Sequence, residues 1–265
     1  MTDYTVMSGA GNTFFVVDDR AAGVRDPVPM TKELCTRMKL DGGLFIRPSS
    51  AADFRLVIIN ADGSEAEMCG NGSRCVARFA FDKGVVCSRT MTFETLAGVI
   101  RGEVLPDGST RVRLTDPKDA RLEFPLKTAS FEGTASFLNT GVPHTVILCD
   151  DPDAVDVFGL GREIRYSDAF KPAGTNVNFI SIVDGSTIKV RTYERGVENE
   201  TQACGTGSTA SAIVSWMLGR TRPPVTVLTR GGERLVVHFE PRTGGGKSVS
   251  DVMLEGQVKY ETGIK

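Results

Sequence analysis

Two similar segments organise this 265-residue chain: Met68-Cys69-Gly70-Asn71-Gly72-Ser73-Arg74 and Ala203-Cys204-Gly205-Thr206-Gly207-Ser208-Thr209. Each contains Cys-Gly-X-Gly-Ser, and the two cysteines lie 135 residues apart (204 − 69), about half the chain. A strand-like run precedes each motif, and an apolar run at helical spacing follows it. The pattern predicts a duplicated chain with each cysteine near the N-terminus of a helix.

A cysteine in that position combines a thiol with an anion-binding site. The first N–H groups of a helix have no partner inside the helix, and the helix dipole adds partial positive charge there. Glycine allows a ligand to approach this backbone closely, so the segment is suited to hold a carboxylate. The same field can lower a cysteine pKa from about 8.5 to about 3.5–7.5. We therefore expect each motif to make a thiolate available beside a bound anion.

Two such sites in equivalent places suit one reaction class. Inverting a carbon next to a carboxylate requires a base on one face of the carbon and an acid on the other. One thiolate can remove the proton while a thiol delivers another from the far side, without metal or pyridoxal. A single motif is equally consistent with a small buried cysteine at a tight turn. The matching flanks of both motifs favour the catalytic interpretation.

Composition excludes several other classes. The chain is 40% apolar and 24% charged, with a net charge of −2, which gives no electrostatic basis for binding nucleic acid. No apolar run reaches the length of a membrane span, and the N-terminus lacks the basic and apolar regions of a signal peptide. We expect a soluble, cytoplasmic protein whose partner is a small molecule and neither nucleic acid nor a membrane.

The remaining cysteines predict no metal site and no disulfide framework. The chain has six cysteines, two histidines and no Cys-X-X-Cys pair, so no ligand set for zinc is suggested. We interpret Cys35, Cys75, Cys87 and Cys149 as structural thiols, and we expect no cofactor.

The pattern of predicted elements indicates an α/β chain of the α+β kind. We expect two pseudo-symmetric domains, each a curved, mainly antiparallel sheet or barrel around a central helix. Residues 1–114 with 256–265 would form the lobe carrying Cys69, and residues 115–255 the lobe carrying Cys204. The last strand is expected to return to the first lobe, because its edge would otherwise stay exposed. A first helix is predicted over 31–38, a turn over 41–43, and a hairpin tip over 243–246.

On these residues the chain resembles the diaminopimelate epimerase family, nearly from end to end. The resemblance rests on the two cysteine motifs and on four further segments: Gly9-Ala10-Gly11-Asn12-Thr13-Phe14, Asn60-Ala61-Asp62-Gly63-Ser64-Glu65, Gly141-Val142-Pro143-His144, and Thr175-Asn176 with Glu194-Arg195-Gly196. It implies a pyridoxal-independent isomerase that interconverts LL- and meso-diaminopimelate, in lysine and peptidoglycan-precursor synthesis.

The resemblance also implies residue roles. Cys69 and Cys204 would be the catalytic bases, supported by His144 and Glu194. Backbone N–H groups would hold the reacting carboxylate at Gly70, Asn71, Gly205 and Thr206. The remaining substrate contacts would come from Asn12, Asn60, Asn176, Glu194 and Arg195. Arg195 suits a bidentate grip on the distal carboxylate, and Glu194 suits a substrate ammonium group. Without the resemblance, Glu194 and Arg195 could be an exposed strand end, and His144 could cap a turn.

Two departures from the family keep the substrate open. Val142 stands where many relatives have Asn, and Gly42-Gly43 where many have Asp-Gln. A racemase of histidine or of another amino acid therefore remains an alternative. A thiol redox switch is a non-enzymatic alternative, and a cysteine hydrolase is disfavoured because it needs only one nucleophile. The resemblance further implies a homodimer with Tyr260 in the subunit contact.

Overall fold

The structure is a computed structural model that describes residues 2–21, 23–242 and 248–262. The hairpin tip predicted over 243–246 lies outside the described residues. Contacts between Cα atoms divide the chain into two compact units. The first contains residues 1–113 and 255–265, and the second contains residues 114–254.

The first unit is a mainly antiparallel sheet with two helices. Its elements are β1 (Thr5–Gly9), β2 (Asn12–Asp18), α1 (Pro27–Met38), β3 (Gly42–Arg47), β4 (Phe54–Asn60), α2 (Gly70–Asp82), β5 (Thr90–Thr95), β6 (Gly98–Val104), β7 (Thr110–Arg113) and β17 (Val258–Tyr260). Strand β17 pairs antiparallel with β1, as expected for the returning last strand. The pairs β2–β3 and β4–β5 are parallel, and α1 and α2 are the connections that bridge them.

The second unit repeats this order. Its elements are β8 (Lys118–Lys127), β9 (Glu132–Asn139), β10 (Pro143–Leu148), α3 (Val157–Arg165), β11 (Asn176–Asp184), β12 (Thr187–Glu194), β13 (Asn199–Thr201), α4 (Gly205–Met217), β14 (Val225–Thr229), β15 (Arg234–Pro241) and β16 (Val249–Gly256). Here the parallel pairs are β10–β11, bridged by α3, and β12–β14, bridged through α4. The mixed α+β fold and its internal duplication agree with the prediction from the sequence.

One helix in each unit is enclosed by its sheet. Helix α2 contacts β1, β2, β6, β7 and β17, and α4 contacts β9, β10, β11, β12, β14 and β15. Nearly all of α4 is buried, and small side chains such as Ala210, Ala212 and Ser211 let the strands approach it closely. Helices α1 and α3 pack over separate apolar clusters, around Phe15 and Phe45 in the first unit and around Phe179 and Tyr193 in the second. The enclosed helices α2 and α4 are therefore the rigid elements that begin at the two cysteines.

Several element boundaries differ from the prediction. Helix α1 begins at Pro27 instead of Thr31, because the Asp26 side chain caps it by accepting from the Val28 N–H and proline is favourable in a first turn. The turn predicted over 41–43 is wrong at its last two residues, which begin β3. The sequence pattern indicates no range for β8, β13 or β17; for the last strand, only its return to the first lobe is expected. Most of β8 is exposed, so it lacks the apolar alternation that marks a half-buried strand.

Candidate active site

Cys69 is the N-cap residue of α2. Its backbone is extended (φ −138°, ψ 112°), and its Sγ atom accepts a hydrogen bond from the Gly72 N–H at 3.4 Å. The side chain therefore occupies the position that Ser or Asp takes in an ordinary helix cap. The other first-turn N–H groups, at Gly70 and Asn71, come at the end of the helix where the backbone carries partial positive charge.

A buried polar network supports this end of α2. The Asn71 side chain donates from Nδ2 to Asn12 Oδ1 at 2.8 Å and accepts at Oδ1 from Arg74 Nη2 at 2.8 Å. Arg74 is fully buried, and Asn71 nearly so. Asn12 follows the turn between β1 and β2, where Ala10 and Gly11 both have positive φ, as a two-residue hairpin turn requires. The network ties the hairpin turn to the helix start.

Cys204 caps α4 in the same way. Its backbone is extended (φ −125°, ψ 112°), and its Sγ atom accepts from the Gly207 N–H at 3.4 Å. The Thr206 hydroxyl lies 3.5 Å from the sulfur. The carbonyl oxygen of Thr206 accepts a hydrogen bond from the Thr140 hydroxyl at 3.1 Å.

The two units thus share a detail that the motifs do not contain. Thr140 lies in the turn between β9 and β10, which corresponds to the β1–β2 turn before Asn12. In both units the residue two positions after the cysteine, Asn71 or Thr206, is hydrogen-bonded to that turn. The duplication therefore extends to how each thiol-bearing helix end is held.

At both thiols the effect of burial on the pKa is larger than the opposite effect of the helix N-terminus. The lowered pKa values predicted from the sequence are therefore wrong for this structure. Burial raises the pKa of Cys69, against the opposing effects of the Gly72 and Asn71 N–H groups and of the Arg74 charge. Burial, and then the negative charge of Glu194, raise the pKa of Cys204 to about 12, although the Thr206 hydroxyl and the Gly207 N–H act in the other direction. At both positions burial therefore favours the protonated thiol.

His144 lies on β10 and is fully buried. Its Nδ1 atom is 3.2 Å from the side-chain nitrogen of Asn178, which also donates to the Thr145 carbonyl oxygen at 3.0 Å. Burial, followed by the positive charge of Arg195, lowers the pKa of His144 to about 3. The imidazole is therefore neutral at neutral pH, and it contacts Asn178 on the neighbouring strand β11.

Glu194 and Arg195 come together at the end of β12, with Asn176 beside them. Burial raises the pKa of Glu194, against the effect of hydrogen bonds from the Thr201 and Cys204 side chains, and Thr201 Oγ1 lies 2.5 Å from its carboxylate. The Asn176 amide accepts from the Arg195 backbone N–H at 2.8 Å and donates to the Pro143 carbonyl at 2.9 Å. Within the described residues, neither Glu194 nor Arg195 takes part in an ion pair.

Two other predicted positions lie at the surface, and Gly43 is a buried position where this chain departs from many relatives. Asn60 ends β4, is exposed, and donates to the Ser64 hydroxyl at 3.0 Å. Tyr260, on β17, is 37% exposed and donates to the Asp82 carboxylate at 2.9 Å. At Gly43 a Cβ atom would lie 2.3 Å from the ring of Phe15, so this chain has no room there for the larger side chain of many relatives.

Three further residues contact the predicted ones although no sequence pattern singles them out as site residues: Arg74, Thr140 and Asn178. For Asn178 an indirect signal exists: it follows Asn176 by two residues on a strand, so both side chains face the same side of the sheet. Arg74 and Thr140 carried no comparable signal. Cys35 and Cys75 are buried as expected, whereas Cys87 is exposed and so is not a packed structural thiol.

Neither a metal cluster nor a membrane span is found in the described part of the chain. No group of three or more His, Cys, Asp or Glu side chains there is arranged to hold a metal ion. No helix there has both the length and the apolar character to cross a bilayer.

Solved structures show the same fold at low sequence identity. A phenazine biosynthesis protein of the PhzF family from Bacillus anthracis superimposes with a TM-score of 0.73 at 15% identity, covering 98% of this chain and 96% of that one. A probable proline racemase from Agrobacterium radiobacter K84 gives a TM-score of 0.69 at 16% identity, over 98% and 91%.

Sequence comparison identifies closer relatives. The family model described as diaminopimelate epimerase matches residues 4–119 and 136–244. The diaminopimelate epimerase of Aquifex aeolicus is 43% identical over 271 residues, which cover 97% of this chain and 94% of that protein. The enzyme of the same name from Hydrogenobaculum is 37% identical, over 97% and 98%. The chain therefore belongs to the diaminopimelate epimerase family.

Proposed function

We propose that this isomerase is a cofactor-independent, two-base epimerase that interconverts LL- and meso-diaminopimelate, with Cys69 and Cys204 as the bases. The observation that carries the proposal is the equivalent placement of the two thiols, each capping the enclosed helix of its own unit with Sγ 3.4 Å from the N–H three residues on. Curated relatives with this name support the substrate.

The mechanism follows from what a thiol-capped helix can do. First-turn N–H groups at Gly70-Asn71 and Gly205-Thr206 hold the carboxylate next to the reacting carbon. As the α-proton leaves, negative charge spreads onto that carboxylate, so the helix ends stabilise the transition state more than the ground state. One sulfur, as thiolate, takes the α-proton, and the other, as thiol, gives its proton to the opposite face. The two sulfurs have then exchanged roles, which suits the reverse substrate.

The charged side chains near the two thiols have opposite signs, and this affects which thiol ionises more readily. The buried cation Arg74 favours a thiolate at Cys69, whereas the Glu194 carboxylate disfavours one at Cys204. We therefore infer that a thiolate forms more readily at Cys69 than at Cys204.

The remaining substrate contacts are assigned to Asn12, Asn60, Asn176, Glu194 and Arg195, with Arg195 on the distal carboxylate. Arg195 keeps a guanidinium with no carboxylate partner in the described residues, and its Nη1 donates only to the Ala173 carbonyl at 3.1 Å. A second carboxylate on the substrate would supply that partner in bidentate form. Glu194 would accept from the distal ammonium group. These two unpaired charges support a substrate with two amino-acid centres.

A racemase of histidine or another single-centre amino acid is the competing enzyme function. It is favoured by Val142 and by Gly43, where the Phe15 ring occupies the space of a longer side chain. A substrate panel that contains LL-diaminopimelate, lysine and histidine separates the two functions, since only diaminopimelate has a second, distal carboxylate to pair with Arg195.

We further propose a cytoplasmic homodimer in which Tyr260 lies at the contact. The half-exposed ring of Tyr260 on β17 supports an apolar contact there. Light scattering on the wild type and on a Tyr260→Asp variant tests the assembly; a wild-type mass of one chain would contradict it.

Proton exchange in D₂O tests the main proposal. The reduced protein should incorporate deuterium at the α-carbon of LL-diaminopimelate while it forms the meso isomer. Cys69→Ala and Cys204→Ala should each lower the epimerisation rate by at least about 10²–10⁴-fold, the usual contribution of a positioned acid or base. Exposed Cys87→Ala is the matched control and should keep full activity. Absence of α-deuterium with intact thiols, or full activity in either active-site variant, would overturn the proposal.

A further inference from the structure

Asn178 is a fully buried residue of β11 whose amide orientation is fixed by its partners. Its Nδ2 atom lies 3.0 Å from the Thr145 carbonyl oxygen, which can only accept a hydrogen bond. Its Oδ1 atom accepts from the Thr192 hydroxyl at 3.0 Å. A flipped amide would set two oxygens against each other at Thr145, so the NH₂ group must face Thr145.

This orientation decides the state of His144. The same NH₂ group points its second N–H at His144 Nδ1, 3.2 Å away. A nitrogen that accepts a hydrogen bond carries no proton, so the proton of a neutral imidazole must be on Nε2. The Nε2 atom is buried and has no hydrogen-bond partner among the described residues.

We propose that Asn178 is a positioning residue that holds His144 as a neutral imidazole protonated on Nε2, so that His144 serves the reaction as a hydrogen-bond donor. The proposal rests on the proposed epimerase function for its catalytic consequence. Its structural part, the tautomer, stands independently.

The position of Asn178 connects it to the thiol-bearing helix. A Cβ atom at Gly207 would lie 2.4 Å from Asn178 Oδ1 and 3.2 Å from Cys204 Sγ, so the amide packs directly against the first turn of α4. Asn178 therefore connects the His144 ring to the helix that begins at Cys204. A neutral N–H donor is suited to stabilise negative charge that develops during reaction, without adding a full charge to the resting site.

The electrostatics of the site agree with a neutral ring. Burial, followed by the charge of Arg195, lowers the pKa of His144 to about 3. The other neighbours that touch Asn178, Thr145 and Thr192, are uncharged. A protonated imidazole would also require the Asn178 N–H to face another donor at Nδ1.

Nitrogen NMR of the wild-type protein tests the tautomer directly. The chain has only two histidines, so ¹⁵N-histidine labelling gives two imidazole spin systems, and a His238→Gln variant assigns them. We expect His144 to show a protonated Nε2 and a non-protonated Nδ1, unchanged over the range of pH in which the protein is folded. An Nδ1-protonated ring or an imidazolium at neutral pH would overturn the proposal.

Two substitutions test the role of Asn178. Asn178→Asp replaces the N–H donor by a carboxylate oxygen, so the His144 proton should move to Nδ1. Thr192→Val removes only the partner of Oδ1 and should keep the Nε2 tautomer. With the wrong tautomer, kcat should fall about 10- to 100-fold, the effect of losing one hydrogen bond to a charged group. An unchanged tautomer in a folded Asn178→Asp protein would contradict the assigned role.

The substrate assignment and the Asn178 assignment would be contradicted by different measurements. If the substrate assignment is wrong, no epimerisation is measured, but the NMR tautomer remains as expected. If the Asn178 assignment is wrong, the wild type epimerises while its His144 signals show another state. Should Asn178→Asp not fold, the wild-type spectrum still decides the proposal.

Discussion

At Cys69 and Cys204 one backbone geometry is combined with opposite neighbouring charges. Both sulfurs cap a helix with nearly the same dihedral angles and the same 3.4 Å N–H contact. The guanidinium of Arg74 acts on the first thiol, and the carboxylate of Glu194 acts on the second. Because charge neighbours shift a pKa in a direction set by their sign, the two thiols should respond differently to single substitutions.

Glu194→Gln should lower the pKa of Cys204. The substitution removes a negative charge that disfavours the thiolate and keeps a side chain of similar size. Peptide-resolved alkylation by iodoacetamide at a series of pH values measures the change, with the thiolate as the reacting form. Cys69 in the same sample is the internal control, since Glu194 is not among the groups that shift its pKa. A Cys204 profile that does not move would contradict the prediction.

His144 should make stability depend on pH. Its pKa is lowered from 6.5 to about 3 by burial, so the unfolded state binds more protons between these values. The stability contributed by the neutral ring is complete above pH 6.5 and is lost as the pH falls toward 3, by about 1.4 kcal/mol per pH unit.

Urea unfolding of the wild type and of His144→Gln at several pH values measures this effect. Carboxylates titrate in both proteins, so the difference between the two free energies of unfolding isolates the imidazole. We expect the wild type to lose stability relative to the variant as the pH falls below 6.5. Parallel curves throughout that range would contradict the prediction.

At the scale of elements, the first turns of α2 and α4 are equivalent in backbone but not in packing. A Cβ atom at Gly72 would meet the end of a flexible side chain, Leu44 Cδ2, at 3.0 Å. A Cβ atom at Gly207 would meet the buried amide oxygen of Asn178 at 2.4 Å, and that amide is held by three hydrogen bonds. Leu44 can move by a few tenths of an ångström, whereas Asn178 can move only by breaking its network.

The Gly207→Ala and Gly72→Ala pair should therefore behave unequally. Gly207→Ala should lower the free energy of unfolding by about 1–3 kcal/mol through overpacking and should reduce activity strongly. Gly72→Ala should have a clearly smaller effect on both. Chemical denaturation and epimerisation assays on the matched variants measure the difference. Equal losses would show that the close contact at Gly207 is not the limiting feature.

At the scale of the whole molecule, the chain is two copies of one plan. Each unit places a hairpin first, then a helix across a parallel strand pair, then a hairpin that leads into the enclosed helix. The first unit is completed by the C-terminal strand, since Val258–Tyr260 pairs with Met7–Gly9. Glu261 adds a backbone N–H bond to the Val6 carbonyl at 2.9 Å and a side-chain bond with Ser8.

Truncation after Gln257 should destabilise the first unit and lower activity. It removes the strand that covers β1, which leads directly to the turn before Asn12, and exposes an unpaired strand edge. The thermal midpoint and the epimerisation rate should both fall. Lys259→Ala, which changes an exposed side chain but keeps the backbone pairing, should leave both unchanged. An unaltered midpoint in the truncated protein would contradict a structural role for β17.

Sequence features within a few residues of each other predicted the helices that carry the site. They did not predict strands that lack a regular alternation of apolar and polar residues. The starts of α2 and α4 and the stop of α4 before Gly219 follow from caps and glycines that lie within a few residues of each other. Strand β8 has too few buried side chains to show a period. Gly42-Gly43 has the composition of a turn, yet it lies in a strand because its backbone pairs with β2 on one side and β4 on the other.

The duplication, the α+β class, the helix-capping position of both cysteines and the family can all be predicted from the amino-acid sequence. These features depend on residue identity and on local backbone preferences, which are set by neighbours along the chain. The preferred protonation of the site, in contrast, depends on tertiary contacts. Burial, the opposite charges of Arg74 and Glu194, and the amide of Asn178 against His144 act between residues that separate elements bring together. Desolvation and charge interaction depend on distance in space, so they could not be obtained from spacing along the chain.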